Sequence, residues 1–239
     1  MVFTRPYSLP CPTTYHRFTV NRNGVTTRLR IQDLTDDMTE TAMEMLTTYF
    51  PRDEPPCKYI EVTNHPTALS ELKKLWRDSI NEKVSLVCVL DEDGPIVMVG
   101  VNVLTVVCKD DKDEPFKSQD KVWSQLFGAV DTVARSVDVF KHYGVDKYLN
   151  AYGLVVAPEW RGMKIGKEIL RARIPLCKAL GVKATATVFT AAASQIVAKR
   201  AGFEELSSFT YEDLAKKGFV FPGIEKDTKS SKLMGMRIE

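Results

Sequence analysis

The chain is poor in the residues that build metal centres and disulfide frameworks. Histidine occurs only at His16, His65 and His142, far apart and never beside a cysteine pair, so a zinc site has no support. The five cysteines, Cys11, Cys57, Cys88, Cys108 and Cys177, are odd in number and lack CxxC spacing. With no secretory apolar segment either, reduced thiols and a cytoplasmic location are expected. No apolar run approaches the roughly 20 residues of a membrane-spanning helix. Charge of one sign is lacking too: 33 Lys and Arg stand interspersed with 31 Asp and Glu, for a net +2, which leaves no broad footprint for nucleic acid. Internal repeats are absent. A soluble globular protein is expected from the 239 residues, and nothing calls for more than a monomer or for a metal.

What is present is a succession of short periodic segments. Residues 1–23 mix Pro, Thr, Arg and aromatics and read as an N-terminal arm, with residues 24–239 as a single domain. Thr26 to Gln32 alternates as a first strand. A helix capped by Thr35 or Asp36 should run to about Phe50 and end at the PRDEPP stretch, residues 51–56, leaving Glu54 on a stiff loop. A second helix is expected over Thr67 to Glu82, then a hairpin of Val84 to Leu90 and Ile96 to Val107 across the DEDG turn. A charged loop, Lys109 to Gln119, precedes one long amphipathic helix from Val122 to Phe140, closed by Gly144. Lys147 to Ala157 reads as a central strand, Ile165 to Leu180 as a helix disturbed by Pro175, and Lys183 to Phe189 as a strand. Ala191 to Arg200 is a short helix ending at Gly202, and two last strands lie near Phe203 to Thr210 and Lys232 to Ile238. The order predicts a mixed α/β domain, with a mostly antiparallel central sheet and helices on both faces.

The stretch Leu154 to Leu170, LVVAPEWRGMKIGKEIL, carries the clearest chemistry. A buried-type strand meets a turn with Gly162 and Gly166, and a helix follows. Main-chain amides at such a helix start suit an anion, and Arg161, Lys164 and Lys167 add positive charge. Residues 156–166, VxPxxRGMKIG, resemble the R/QxxGxG/A acetyl-coenzyme-A motif of the GNAT-type N-acetyltransferases, with Lys164 in place of the middle glycine. The element order from about residue 25 onward fits that fold. RDEPP resembles the DEP loop of the insect-type arylalkylamine N-acetyltransferases, and TAAASQIVAKRAGF, residues 190–203, resembles their serine-bearing segment.

The resemblance implies transfer of an acetyl group from acetyl-CoA to a small primary amine such as dopamine, serotonin or tryptamine. It implies Glu54 as general base and Thr190 and Ser194 as the hydroxyl pair near the thioester, with Thr where the family has its first serine. Leu154, Val155 and Val156 would pair with the pantetheine arm, and Arg161, Gly162, Met163, Lys164, Ile165, Gly166 and Lys167 would hold the pyrophosphate. A main-chain donor near Leu154 to Val156 would face the oxyanion, and Ser194 would meet the departing sulfur. Read without the family, Glu54 is an ordinary loop acid and Thr190 a helix N-cap. Cys177 lacks a neighbouring histidine, which argues against an acyl-enzyme. Agmatine or polyamine acceptors, longer acyl donors, a protein-lysine acceptor and a catalytically weak acyl-CoA-binding regulator stay open as alternatives.

Overall fold

The computed structural model describes residues 3–22, 24–111 and 116–239. The strands are β1 (Thr14–Arg22), β2 (Val25–Asp33), β3 (Leu86–Leu90), β4 (Met98–Cys108), β5 (Lys147–Val156), β6 (Ala184–Phe189), β7 (Glu204–Thr210) and β8 (Ser230–Arg237). They form one sheet in the order β1-β2-β3-β4-β5-β6-β8-β7. Every neighbouring pair is antiparallel except β5 and β6. That pair is parallel because a helical crossover joins it, as a hairpin cannot.

The helices are α1 (Thr39–Asp53), α2 (Pro55–Tyr59), α3 (Pro66–Asn81), α4 (Lys121–Ala134), α5 (Val139–Tyr143), α6 (Ile165–Leu180), α7 (Ala192–Ala201) and α8 (Tyr211–Lys216). Alternation along β3 separates the two faces of the sheet: Val87 and Val89 pack with α1, α3 and α4, while Leu86 and Cys88 pack with α6. No described helix is long and apolar enough to cross a membrane.

Several boundaries depart from the sequence expectations. The stretch read as an arm supplies β1, an edge strand whose partner is β2. The residues before it are fastened as well, since the Arg5 guanidinium donates to both Asp33 carboxylate oxygens at 2.8 Å. Asp33 also accepts from the Thr13 amide and the Tyr15 hydroxyl. Pro51 does not end α1, which runs on to Asp53. Proline near a helix end removes a single hydrogen bond, and the loss is tolerated there.

A new helix begins at Pro55 rather than after Pro56, because proline's missing amide is harmless in a first turn. The long helix expected over residues 122–140 is two helices: α4 stops at Ala134, and Asp138 caps α5 by accepting from the Lys141 amide. Gly144 does close α5 with a left-handed φ of 61°. Helix α6 runs unbroken through Pro175. The charged loop expected over Lys109 to Gln119 falls partly outside the described residues.

Candidate active site

The site opens where β5 and β6 part. Only Leu149 and Thr185 are in register between them. Beyond that point β6 stays with β8, and β5 stays with β4 through an irregularity between Val103 and Leu104. The result is a cleft of about 1020 Å³ running between the two strands. Side chains cover some of its main-chain acceptors. Trp76 Nε1 donates to the Tyr152 carbonyl, Asn102 Nδ2 to that of Gly153, and Arg161 Nε to that of Val156. Between these, Leu154 bonds no side chain among the described residues and turns its main chain to the cleft, whereas Val155 is paired with Val101 of β4.

On the α6 side the cleft ends in the glycine turn. The amides of Gly162, Lys164, Ile165 and Gly166 donate to no acceptor among the described residues, and the first helical amides to do so are those of Lys167 and Glu168, both bonding the Lys164 carbonyl. Free amides gathered at a helix start form an anion cradle, reinforced by the helix dipole. Gly162 has φ 79°, and Lys164 takes φ 64° as well, a left-handed conformation that an L-residue rarely adopts. The lysine thus reproduces the backbone that a glycine would give. At Gly166 an added Cβ would meet only ordinary contacts, none nearer than Leu154 Cδ2 at 3.7 Å. The fold therefore does not require glycine there, and its bareness keeps the amides open. These residues fit a diphosphate.

The charges around the turn are arranged differently from the sequence picture. Arg161 is not free: besides Val156 it holds Asp53 at 2.6 Å, and Asp53 is also bound by Arg52. Lys164 is exposed and has no ion-pair partner among the described residues, whereas Lys167 lies 3.6 Å from Glu168.

Glu54 lies at the joint of α1 and α2, with the extended backbone expected of a residue before proline (φ −81°, ψ 120°). The stiff loop expected here is a one-residue joint between two helices. The Glu54 carboxylate caps α2 by accepting from the Cys57 amide at 2.7 Å, and its other oxygen accepts from the Thr190 hydroxyl at 2.5 Å. Burial pushes the Glu54 carboxyl above its ordinary value, with the Thr190 and Cys57 bonds pulling partly back. The Cys57 thiol, buried beside that carboxylate, is pushed well up and stays protonated.

Thr190 is therefore not the N-cap of α7; Ala191 holds that position. The Thr190 carbonyl accepts from Tyr211, whose phenol is pushed up by burial and by Glu54. Ser194 lines the same cleft one turn on, donating to the Ala191 carbonyl at 2.8 Å. The two hydroxyls are thus brought to one cleft but do different things. Cys57 and Tyr211 were not foreseen as site residues, although Cys57 stands at the N3 position of a Glu-Pro-Pro-Cys start, where a capping residue's acceptor is expected to reach.

On the opposite face of the sheet the cleft is walled by Phe50, Leu72, Leu75, Trp123, Phe127 and Tyr152. Trp123 and Phe127 stack with centroids 5.1 Å apart, and Phe127 lies 6.0 Å from Tyr152. Two carboxylates line the cleft, Asp53 and Glu54, and Asp53 is held by two arginines. A polar turn on one face and an aromatic chamber on the other thus meet at the gap, with Glu54 beside it.

The family model described as the acetyltransferase (GNAT) family matches residues 109–203. No curated protein sequence matches the chain. A solved structure from the yellow fever mosquito Aedes aegypti, named as a candidate arylalkylamine N-acetyltransferase 7, is 36% identical over 99% of this chain and 100% of that one, with a TM-score of 0.92. Two further structures share the fold. They are Aedes aegypti arylalkylamine N-acetyltransferase 2 (22% identity, 88% and 99% of the two chains, TM-score 0.75) and Drosophila melanogaster polyamine N-acetyltransferase (16%, 88% and 100%, 0.68). A full-length relative at that first level of identity, the strand order and the open glycine turn agree, and the chain belongs to the GNAT family of acetyltransferases.

Proposed function

We propose that this enzyme transfers an acetyl group from acetyl-CoA to a small primary amine borne on an aryl-ethyl skeleton, by direct attack within a ternary complex. The observation that carries the reading is the position of the Glu54 carboxylate, between an aromatic chamber and a gap floored by open main chain.

The free amides of Gly162, Lys164, Ile165 and Gly166, with the Lys164 and Lys167 side chains beside them, hold the diphosphate of the cosubstrate. The open main chain of Leu154 takes the pantetheine amides as a neighbouring strand would, since Val155 turns its own to Val101 of β4. An arriving ammonium gives its proton to Glu54, directly or through water. The raised carboxyl is a better base than an ordinary glutamate, and the Thr190 hydroxyl keeps it aimed. The freed nitrogen forms a C–N bond to the thioester carbon while a main-chain donor near Leu154 to Val156 meets the developing oxyanion; the nitrogen then passes a second proton through Glu54 to water, and the C–S bond breaks with its electron pair on sulfur. Ser194 supplies a hydrogen bond on that side.

The acceptor class follows from the chamber. An aromatic wall welcomes an aryl ring, whereas a second cationic group would need a free carboxylate. Asp53, the other carboxylate of the cleft, is already held by Arg52 and Arg161. The test is steady-state kinetics with a panel of arylalkylamines, agmatine, spermidine and a lysine peptide, repeated on Glu54→Ala. Arylalkylamines should give the highest kcat/KM, and Glu54→Ala should lower it by about 10²-fold or more. Agmatine or peptide ranking first would overturn the acceptor assignment. CoA binding without any turnover would favour a regulator over an enzyme.

A further inference from the structure

Arg173 is a buried charge that the mechanism above does not use. It sits on the inward face of α6 with 1% of its surface exposed. Its Nε donates to Asn102 Oδ1 at 3.0 Å, and its Nη1 to the hydroxyls of Thr187 at 3.0 Å and Thr185 at 3.5 Å. The Phe203 ring lies 5.7 Å from the guanidinium carbon. Each of these partners is neutral. Cys177, one turn on, has a thiol that burial pushes up to about 12, so it supplies no counter-charge. Arg173 forms no salt bridge among the described residues, its Nη2 bonds none of them, and it lines the cleft.

Its position is specific. Thr185 belongs to the single β5–β6 pair and also donates from its hydroxyl to the Leu149 carbonyl, while Thr187 is two residues further up the opening strand. Asn102, which orients the guanidinium, reaches with its other end to the Gly153 carbonyl of β5. The cation is therefore lodged where the strands part and is tied to both sides of the opening. A buried charge without a partner is unfavourable, and burial pulls this one down to about 9. Apolar replacement of buried charges is often neutral or stabilising, so packing alone does not explain an arginine here.

We propose that Arg173 is the fixed cation of the cleft, set at the fork of β5 and β6 so that the sulfur of coenzyme A departs and rests as a thiolate. This deepens the acetyl-CoA reading and rests on it. In the transfer the nitrogen gives up two protons, one before it attacks and one after the C–N bond has formed; both pass by way of Glu54 to water, and the sulfur takes the electron pair of the broken C–S bond. A positive charge already in place needs no reorganisation as the negative charge develops. The other charged groups lining the cleft are Asp53, Glu54, Arg161, Lys164, Lys167 and Arg200. The first three are held in bonds of their own, and the two lysines flank the phosphate turn.

The test compares binding of CoA and desulfo-CoA between about pH 6.5 and 8.5, the range below and around an ordinary thiol pKa of about 8.5. A stabilised thiolate lowers the thiol pKa in the complex below that of free CoA. The affinity ratio of CoA to desulfo-CoA should then rise with pH, roughly tenfold for each unit of depression. Arg173→Lys, which keeps the charge, should retain part of the rise. Arg173→Met should flatten it, as should Thr187→Asp, which keeps the arginine but gives it a carboxylate. If Arg173→Met does not fold, Thr187→Asp and Arg173→Lys decide the matter. A flat ratio in the wild type, or an undiminished rise in a folded Arg173→Met or Thr187→Asp, would overturn the proposal while leaving the acetyl-CoA reading intact. Failure of both ligands to bind the wild type would overturn the acetyl-CoA reading and this one with it.

Discussion

Replacing Lys164 by glycine should separate two effects that this residue combines. Its backbone is left-handed, at φ 64° and ψ 11°, which for an L-residue costs roughly 1–2 kcal/mol. Glycine removes that cost but gives the unfolded chain extra freedom worth about 0.5–1 kcal/mol. The net is a gain of about 0.5–1 kcal/mol, or a rise in Tm of about 1–4 °C for a chain of this size. The exposed ammonium is lost as well. A unit charge about 6 Å from a phosphate in water-like surroundings contributes about 0.7 kcal/mol, or about threefold in CoA affinity. Lys164→Ala loses the same charge and keeps the strained backbone, so it should bind CoA as weakly as the glycine variant without the gain in Tm. Thermal unfolding without ligand, together with CoA titrations at about 20 and 300 mM salt, gives both readings, and the affinity differences should shrink at the higher salt. Equal Tm values for the glycine and alanine variants would refute the backbone argument. Unchanged CoA affinity at low salt would refute the placement of the phosphates.

The other expectations concern the rest of the site and its support. Gly166→Ala should leave the unfolding free energy within about 1 kcal/mol of wild type, because its Cβ finds room, yet weaken CoA binding; a large loss of stability in denaturant titration would contradict this. Phe127→Ala should raise KM for an arylalkylamine about tenfold by removing an aromatic wall, with KM for acetyl-CoA unchanged. Because burial raises the Glu54 pKa, its contribution to stability is fully present at acid pH and is lost as pH rises through the folded-state value. Glu54→Gln should therefore gain Tm relative to wild type as pH rises from about 4, near the ordinary carboxylate value, to about 8, while losing turnover; a Tm difference independent of pH would refute the assignment. Asp33→Asn breaks a buried pair that holds Arg5 and should cost about 3–5 kcal/mol in equilibrium unfolding. A loss below about 1 kcal/mol would mean that the segment before β1 is not anchored there.

Local signals were legible and distant partnerships were not. Helix α6, its inward residues Ile169, Ala172, Leu176 and Leu180, and the glycine that ends it follow from apolar spacing and a left-handed cap. The turn before it was legible for the same reason, since glycines between a strand and a helix have few other uses. Strand β1 escaped because an edge strand buries few side chains, so its alternation is weak: Val20 is its one buried apolar residue. The bond from Thr190 to Glu54 spans 136 positions, and only the family pattern brought these two together before the fold did. Arg173 left a trace, a charge in the middle of the buried stripe of α6, but its partners Asn102, Thr185 and Thr187 come from two strands that no local pattern joins.

The carboxylate that caps α2 is also the proposed proton acceptor, and the two tasks share one negative charge. Each proton taken up removes the negative charge that the first turn of α2 holds through the Cys57 amide, so turnover should carry a small mechanical pulse into that helix. Pro55 and Pro56 limit what the pulse can do, because the backbone after Glu54 has little freedom to unwind. A joint that stiff returns the side chain to the same place after every cycle.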